Sequence, residues 1–181
     1  KKPGVPIMYA QECMPGFEYQ AAAHMISMGL EKEGLDVVEA VRSRHDGYRR
    51  NPWNEMECGS NYVRSLASYG LLLAYSGFRY DVSRKLIGFE PPYAMKYRRF
   101  FWALDGAWGC FMQSETGWQL GIAYGRLTVQ RIVLAEPELV HQVRLDGALL
   151  NFRVKNSKIV LDEAVSICEG GVLEFARKYH G

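Results

Sequence analysis

The chain has 181 residues, of which 48% are hydrophobic and 23% charged, ordinary globular usage that suits one domain or one domain plus a partial second. Its 22 Lys and Arg against 20 Asp and Glu give a formal charge of +2 with no long basic run, which argues against a nucleic-acid partner and a strongly charged membrane surface. The longest apolar run near a helix, Leu71 to Tyr75, is far too short to cross a bilayer, so no transmembrane segment is expected.

The chain opens on Lys1-Lys2-Pro3-Gly4, with no initiator Met and no basic, apolar, small-residue pattern of a signal peptide. That opening reads as the interior of a longer polypeptide and leaves the compartment open. Cys13, Cys58, Cys110 and Cys168 form no close pair. This spacing argues against a zinc ribbon or a redox motif and fits reduced, partly buried thiols.

Up to about residue 77 the sequence has helical grammar. Glu18 to Leu30 is rich in Ala, Met and Ile, which favours helix. Glu33 to Arg44 follows, with Leu35, Val38 and Val41 on one stripe, and Asp46-Gly47 ends it. A third helix is expected from Ser60 to Ser76, apolar all round at its far end and therefore buried on several sides, with Gly77 as its C-terminal cap. His24, among Ala, Met and Ile, reads as a packed core histidine, and His45, before a turn, as a solvated one.

From Phe78 onward short β-rich runs alternate with turn signals. The runs are Phe100 to Leu104, Trp108 to Gln113, Gln119 to Tyr124, Leu127 to Leu134, Val143 to Leu145, Ala148 to Val154, Lys158 to Leu161, Ala164 to Cys168 and Val172 to Phe175. They predict an antiparallel meander or sandwich. Phe100, Phe101, Trp102, Trp108, Phe111 and Trp118 fit either the core of that sandwich or a sugar-stacking platform.

The segment with most chemistry lies between the second and third helices, Arg49-Arg50-Asn51-Pro52-Trp53-Asn54-Glu55-Met56-Glu57-Cys58-Gly59. It packs two Arg, two Asn, two Glu and a Trp into eleven residues, and Arg64 follows inside the next helix. A cation beside an apolar helix needs a partner, and Glu55 and Glu57 are the nearest carboxylates in sequence. Such a set suits sugar recognition. Carboxylates accept from hydroxyls, a guanidinium donates in a fixed fork, and the Trp53 ring can cover the apolar face of a pyranose. The same set also suits a structural loop, with Glu55 in an ion pair, Glu57 near a helix N-terminus, Trp53 packed and Asn54 shaping the turn. No phosphate loop, metal-ligand cluster or Ser/His/Asp arrangement is present, so no metal or cofactor is expected.

The stretches Gly16-Phe17-Glu18-Tyr19-Gln20, Arg50 to Gly59 and Tyr62-Val63-Arg64-Ser65, with Ala67-Ser68-Tyr69, resemble the catalytic region of glycoside hydrolase family 116. The match runs from about residue 16 to residue 81. The family includes β-glucosidases and the non-lysosomal glucosylceramidase. The resemblance implies an α+β chain, with residues 1–79 the last helices of an (α/α)6 barrel and residues 80–181 a β-rich antiparallel extension. It implies the C-terminal portion of a retaining hydrolase of β-glucosides, completed by an N-terminal part of the same enzyme. Glu55 and Arg64 then contact glucose hydroxyls, Trp53 and Asn54 belong to the same substrate site, and Glu18 and Tyr19 lie near the cleft. The catalytic carboxylates fall outside this sequence. The rival expectation is a non-catalytic β module that binds carbohydrate or protein.

Overall fold

The computed structural model describes residues 4, 13–51 and 64–178, without the side chains of residues 64 and 65. Its contacts divide the chain into two units, Lys1–Tyr75 and Ser76–Gly181.

The first unit is helical. Helix α1 spans Pro15–Ser27 and helix α2 spans Glu31–Arg44. Pro15 opens α1, where its missing N–H costs nothing. Gly29, at φ +82°, closes it. The Gly29 amide donates to the Ile26 carbonyl at 3.0 Å and the Leu30 amide to the Met25 carbonyl at 2.9 Å, the paired bonds that end a helix on a left-handed residue. Tyr19, Ala22 and Ile26 of α1 are buried, as are Gly34 and Val41 of α2. A Cβ on Gly34 would sit 2.6 Å from Ile26 Cγ1 and 2.9 Å from the Ala22 carbonyl oxygen. The helices therefore touch at a residue without a side chain, and the buried stripe of α2 runs through Gly34, Val41 and His45 while Leu35 stays exposed. His45 is only 4% exposed, with Nδ1 3.2 Å from the Val41 carbonyl. His24 is exposed. Both histidines thus reverse their expected environments. A 3-10 helix, Arg64–Ser68, leads into helix α3, Tyr69–Ser76. Leu72 and Leu73 of α3 are exposed, against the expectation of a helix buried on several sides.

The second unit carries the ten strands found among the described residues. They are β1 Phe78–Asp81, β2 Leu86–Phe89, β3 Arg98–Leu104, β4 Ala107–Ser114, β5 Gly117–Leu134, β6 Val140–Leu145, β7 Ala148–Leu150, β8 Phe152–Lys155, β9 Lys158–Cys168 and β10 Val172–Arg177. The 18-residue β5 organises them. Its first half lies between β4 and β10, in the order β3-β4-β5-β10-β6-β7. Its second half lies between β2 and β9, in the order β1-β2-β5-β9-β8. The exchange of partners falls at Gly125, which still pairs with Ala107, and Arg126, which pairs with Cys168. Gly125 has φ +81°, and a Cβ there would stand 2.0 Å from the Gly106 carbonyl oxygen. Only glycine admits both the conformation and the approach.

The apolar faces of the two halves form one core. Trp102, Phe111, Trp118, Leu120 and Phe175 come from the first half, and Ile87, Phe89, Leu127, Ile132, Ile159 and Ile167 from the second. Phe89 and Phe111 join them, stacked with centroids 4.1 Å apart.

The expectation of C-terminal helices of an (α/α)6 barrel is overturned. Among the described residues strand outweighs helix, in ten strands against three α-helices of 13, 14 and 8 residues. A barrel of that kind needs long helices alternating between an inner and an outer ring, whereas α3 gives way after about two turns to β1, which begins at Phe78. Nor is the β-rich part wholly antiparallel, because β2 runs parallel to β5. The crossover that makes this possible includes β3 and β4.

Candidate functional site

Of the residues singled out in the sequence, Trp53, Asn54, Glu55 and Glu57 lie outside the described residues. The Arg64 backbone opens the 3-10 helix, and its side chain is outside the described set as well. The approach to that segment is described. Asp46 Oδ1 accepts the amides of Tyr48 at 2.9 Å and Arg49 at 2.8 Å, and the Arg49 guanidinium donates to the Ser43 carbonyl at 3.0 Å. These backbone hydrogen bonds hold the exposed Asp46 carboxyl below the ordinary carboxylate range. Glu18, expected near a cleft, is paired with Arg44, and Tyr19 is core.

A site does assemble in the β unit, on the outer face of the β3-β4-β5-β10-β6 half. The registers run Arg99 to Met112 to Gln119 to Glu174 to Arg144, each residue opposite the next. Directly opposed residues share a face, so this is one row of side chains across five strands. It lies in a cleft of about 710 Å³ that also takes in Tyr97 and Gln142. The row is fixed by its own contacts. Gln119 Nε2 donates to Glu174 Oε1 at 3.0 Å, Arg144 Nε donates to Gln142 Oε1 at 3.0 Å, and Arg144 Nη1 donates to the Gly147 carbonyl at 2.8 Å.

Further along the same strands the face becomes aromatic. Phe101 lies two residues beyond Arg99, so on the same face, and Trp108 lies four residues before Met112. Trp108 is opposite Tyr124 across a register shift. The Phe101 and Trp108 centroids are 6.2 Å apart, and so are those of Trp108 and Tyr124, the latter two within 19° of parallel. All three rings are exposed, Trp108 at 44%. Cys110 and Gly121 separate Trp108 and Tyr124 from the polar row, at a spacing along β4 of roughly 14 Å from Met112 to Trp108, while Phe101 stands opposite Cys110 in the row between.

The aromatics read from sequence thus divide. Trp102, Phe111 and Trp118 fill the core, while Phe101 and Trp108 face outward. Tyr124, the third ring, was missed. It stands at the end of a β-rich run, and only the bulge beside Trp108 sets it opposite that ring. The polar row was missed too, because its members are spread from Arg99 to Glu174 with no local motif. Alternation along β4 and β10 was the only available signal.

No group of three or more His, Cys, Asp or Glu residues able to hold a metal is present among the described residues. No described helix is long and apolar enough to cross a membrane.

No family model and no curated protein matches the chain. Among solved structures, a β-arabinofuranosidase of glycoside hydrolase family 127 matches at 14% identity and a TM-score of 0.39, over 71% of this chain and 22% of that one. The chain therefore spans less than a quarter of that glycoside hydrolase, and the match does not bear on family 116.

Proposed function

We propose that the β unit binds carbohydrate on the outer face of its β3-β4-β5-β10-β6 half, in a chain that forms part of a glycoside hydrolase acting on β-glucosides. The observation behind this is the exposed file of Phe101, Trp108 and Tyr124 beside the ordered row of Arg99, Gln119, Glu174 and Arg144. Flat aromatic rings cover the apolar faces of sugar rings. Carboxylate, amide and guanidinium groups exchange hydrogen bonds with hydroxyls, more strongly where one partner is charged. Because protein contacts already order the row, little side-chain freedom is lost when a ligand arrives. The length of the face suits an oligosaccharide better than one ring.

The hydrolase half of the proposal rests on the family 116 resemblance of Asn51 to Arg64. On that reading Glu55 and Arg64 grip the terminal glucosyl unit and position it for attack by carboxylates supplied elsewhere in the enzyme. Two experiments separate the halves. Isothermal titration of the chain with cello-oligosaccharides is expected to give binding that Trp108→Ala weakens about tenfold, equivalent to about 1.4 kcal/mol. Equal affinity in the variant rejects the face as the site. Glu55→Ala in the full-length enzyme is expected to lower kcat/KM on an aryl β-glucoside, and an unchanged value rejects the hydrolase role of that segment.

A further inference from the structure

At one end of the β unit the inner face of the sheet finishes on a charge. Arg98 is opposite Gln113, and Gln113 is opposite Trp118, so the guanidinium shares the inward row that continues to Phe175. Only 8% of Arg98 is exposed. Its Nη2 donates to the Tyr93 carbonyl, and its guanidinium carbon lies over the Tyr93 ring at 5.4 Å. Nε and Nη1 are buried and make no hydrogen bond among the described residues. Burial pulls the Arg98 pKa below its ordinary value, but a guanidinium stays charged. A buried cation with unused donors is costly until a counter-charge or acceptor meets it.

The nearby carboxylates are engaged by other cations. Glu136, whose charge is felt at Arg98, is held by Arg177 Nη2 at 3.1 Å, and Glu115 is held by Lys96 at 3.2 Å. Beside Arg98 lies a cavity of about 520 Å³, lined by three cations (Lys96, Arg98 and Arg177) and one carboxylate, Glu136. The rest of its wall includes Pro91, Pro92, Met95 and Ala135. That volume is within the usual range for small-molecule sites.

We propose that this cavity binds a small carboxylate-bearing molecule, its carboxylate on the Arg98 guanidinium, which turns its enclosed, unused donors toward the ligand, and its body against the Pro91, Pro92 and Met95 wall. The planar guanidinium fits a carboxylate in shape and hydrogen bonding. The proposal is independent of the outer aromatic face, since it uses the opposite side of β3.

The test is isothermal titration of the chain with benzoate and with glucuronate. Benzyl alcohol and glucose serve as neutral counterparts, and inorganic phosphate as a second anion. At least one carboxylate is expected to bind ten times or more tightly than its neutral counterpart and than phosphate. Which one binds distinguishes an apolar acid from a sugar acid. Ala135→Trp, at an exposed wall position, fills the cavity without touching the core and is expected to weaken carboxylate binding at least tenfold. Arg98→Gln is expected to do the same, and Ala135→Trp keeps the test decisive should Arg98→Gln not fold. Trp108→Ala is expected to leave carboxylate binding unchanged, which keeps this result separate from the saccharide test. The proposal is overturned if neither carboxylate binds, if phosphate or the neutral compounds bind equally well, or if Ala135→Trp or a folded Arg98→Gln changes nothing.

Discussion

The two units solve the same problem, burial of apolar surface, with very different means. The β unit gathers nineteen buried residues from both sheet halves into one cluster. Among the described residues the helical unit buries few large side chains, chiefly Tyr19, Ile26 and Val41, and α1 meets α2 at Gly34. It leaves Phe17, Met28, Leu35, Leu66, Tyr69, Leu72 and Leu73 exposed. A strand presents side chains to two faces and gains from every neighbour, whereas a pair of helices shares one narrow stripe. The β unit therefore carries the larger core among the described residues, and its outer face rests on that core.

The contrast can be broken most forcefully in the β core. Trp118→Ala empties a site 2% exposed that packs with residues of both halves. It is expected to cost about 3–5 kcal/mol, read from urea unfolding followed by circular dichroism. A loss below about 1 kcal/mol would mean that the core tolerates collapse and is not the frame described here. In the helical unit, Gly34→Val forces a side chain against Ile26 and the Ala22 carbonyl. Overpacking of that kind costs about 1–3 kcal/mol. It is expected to lower helical signal before the sheet unfolds, and a single coincident transition would show the two units to be one cooperative body.

Smaller effects sharpen the comparison. Trp108→Ala removes an exposed ring, so stability is expected to change by less than about 0.5 kcal/mol while saccharide affinity falls. That split separates a binding face from a core position. The smallest effects belong to Asp46 and Asp81, one in each unit. Backbone donors from Arg49 and Tyr48 hold the Asp46 carboxyl below its usual value near 3.8, and the Ser83 hydroxyl and the Arg84 amide do so for Asp81. A depressed pKa means that the stabilisation is complete above the ordinary value and lost as the pH falls through the lower folded value. Asp46→Asn and Asp81→Asn are therefore expected to be slightly destabilising at pH 7, the difference from the parent shrinking as the pH falls below 3.8 and through the lower folded value, by thermal melts across that range.

Much of the local structure was legible. Helix α2 ends at the expected Arg44, two residues before the Asp46-Gly47 turn, and Gly77 carries the φ of +57° that a helix-terminating glycine takes. The runs at Phe100, Trp108 and Val172 became β3, β4 and β10. Other readings failed for identifiable reasons. Leu35 was placed on the inner stripe of α2 because periodicity counts side chains, and the true contact, Gly34, has none. Gln119 to Tyr124 and Leu127 to Leu134 read as two strands because Gly125 interrupts the pattern, yet the chain continues as β5 and only changes partners there. The hairpin of β1 and β2 was not foreseen, since its four-residue strands carry too little alternation to register.

The sequence by itself determined the change from helical to extended grammar near Gly77, the end of α2 and most of the extended runs, and that Asn51 to Arg64 concentrates sugar-compatible residue types. It did so because those properties are local, set by side-chain period, glycine and the order of residue types. Tertiary structure alone decided that one strand serves both sheet halves and that Arg98 is buried with unused donors. It also decided that Phe101, Trp108 and Tyr124 line up outside while Trp102, Phe111 and Trp118 go inside. Those outcomes depend on register, and a shift of one residue exchanges the two faces of a strand. The bulge that sets Tyr124 opposite Trp108 fixes that register only when β4 and β5 have paired.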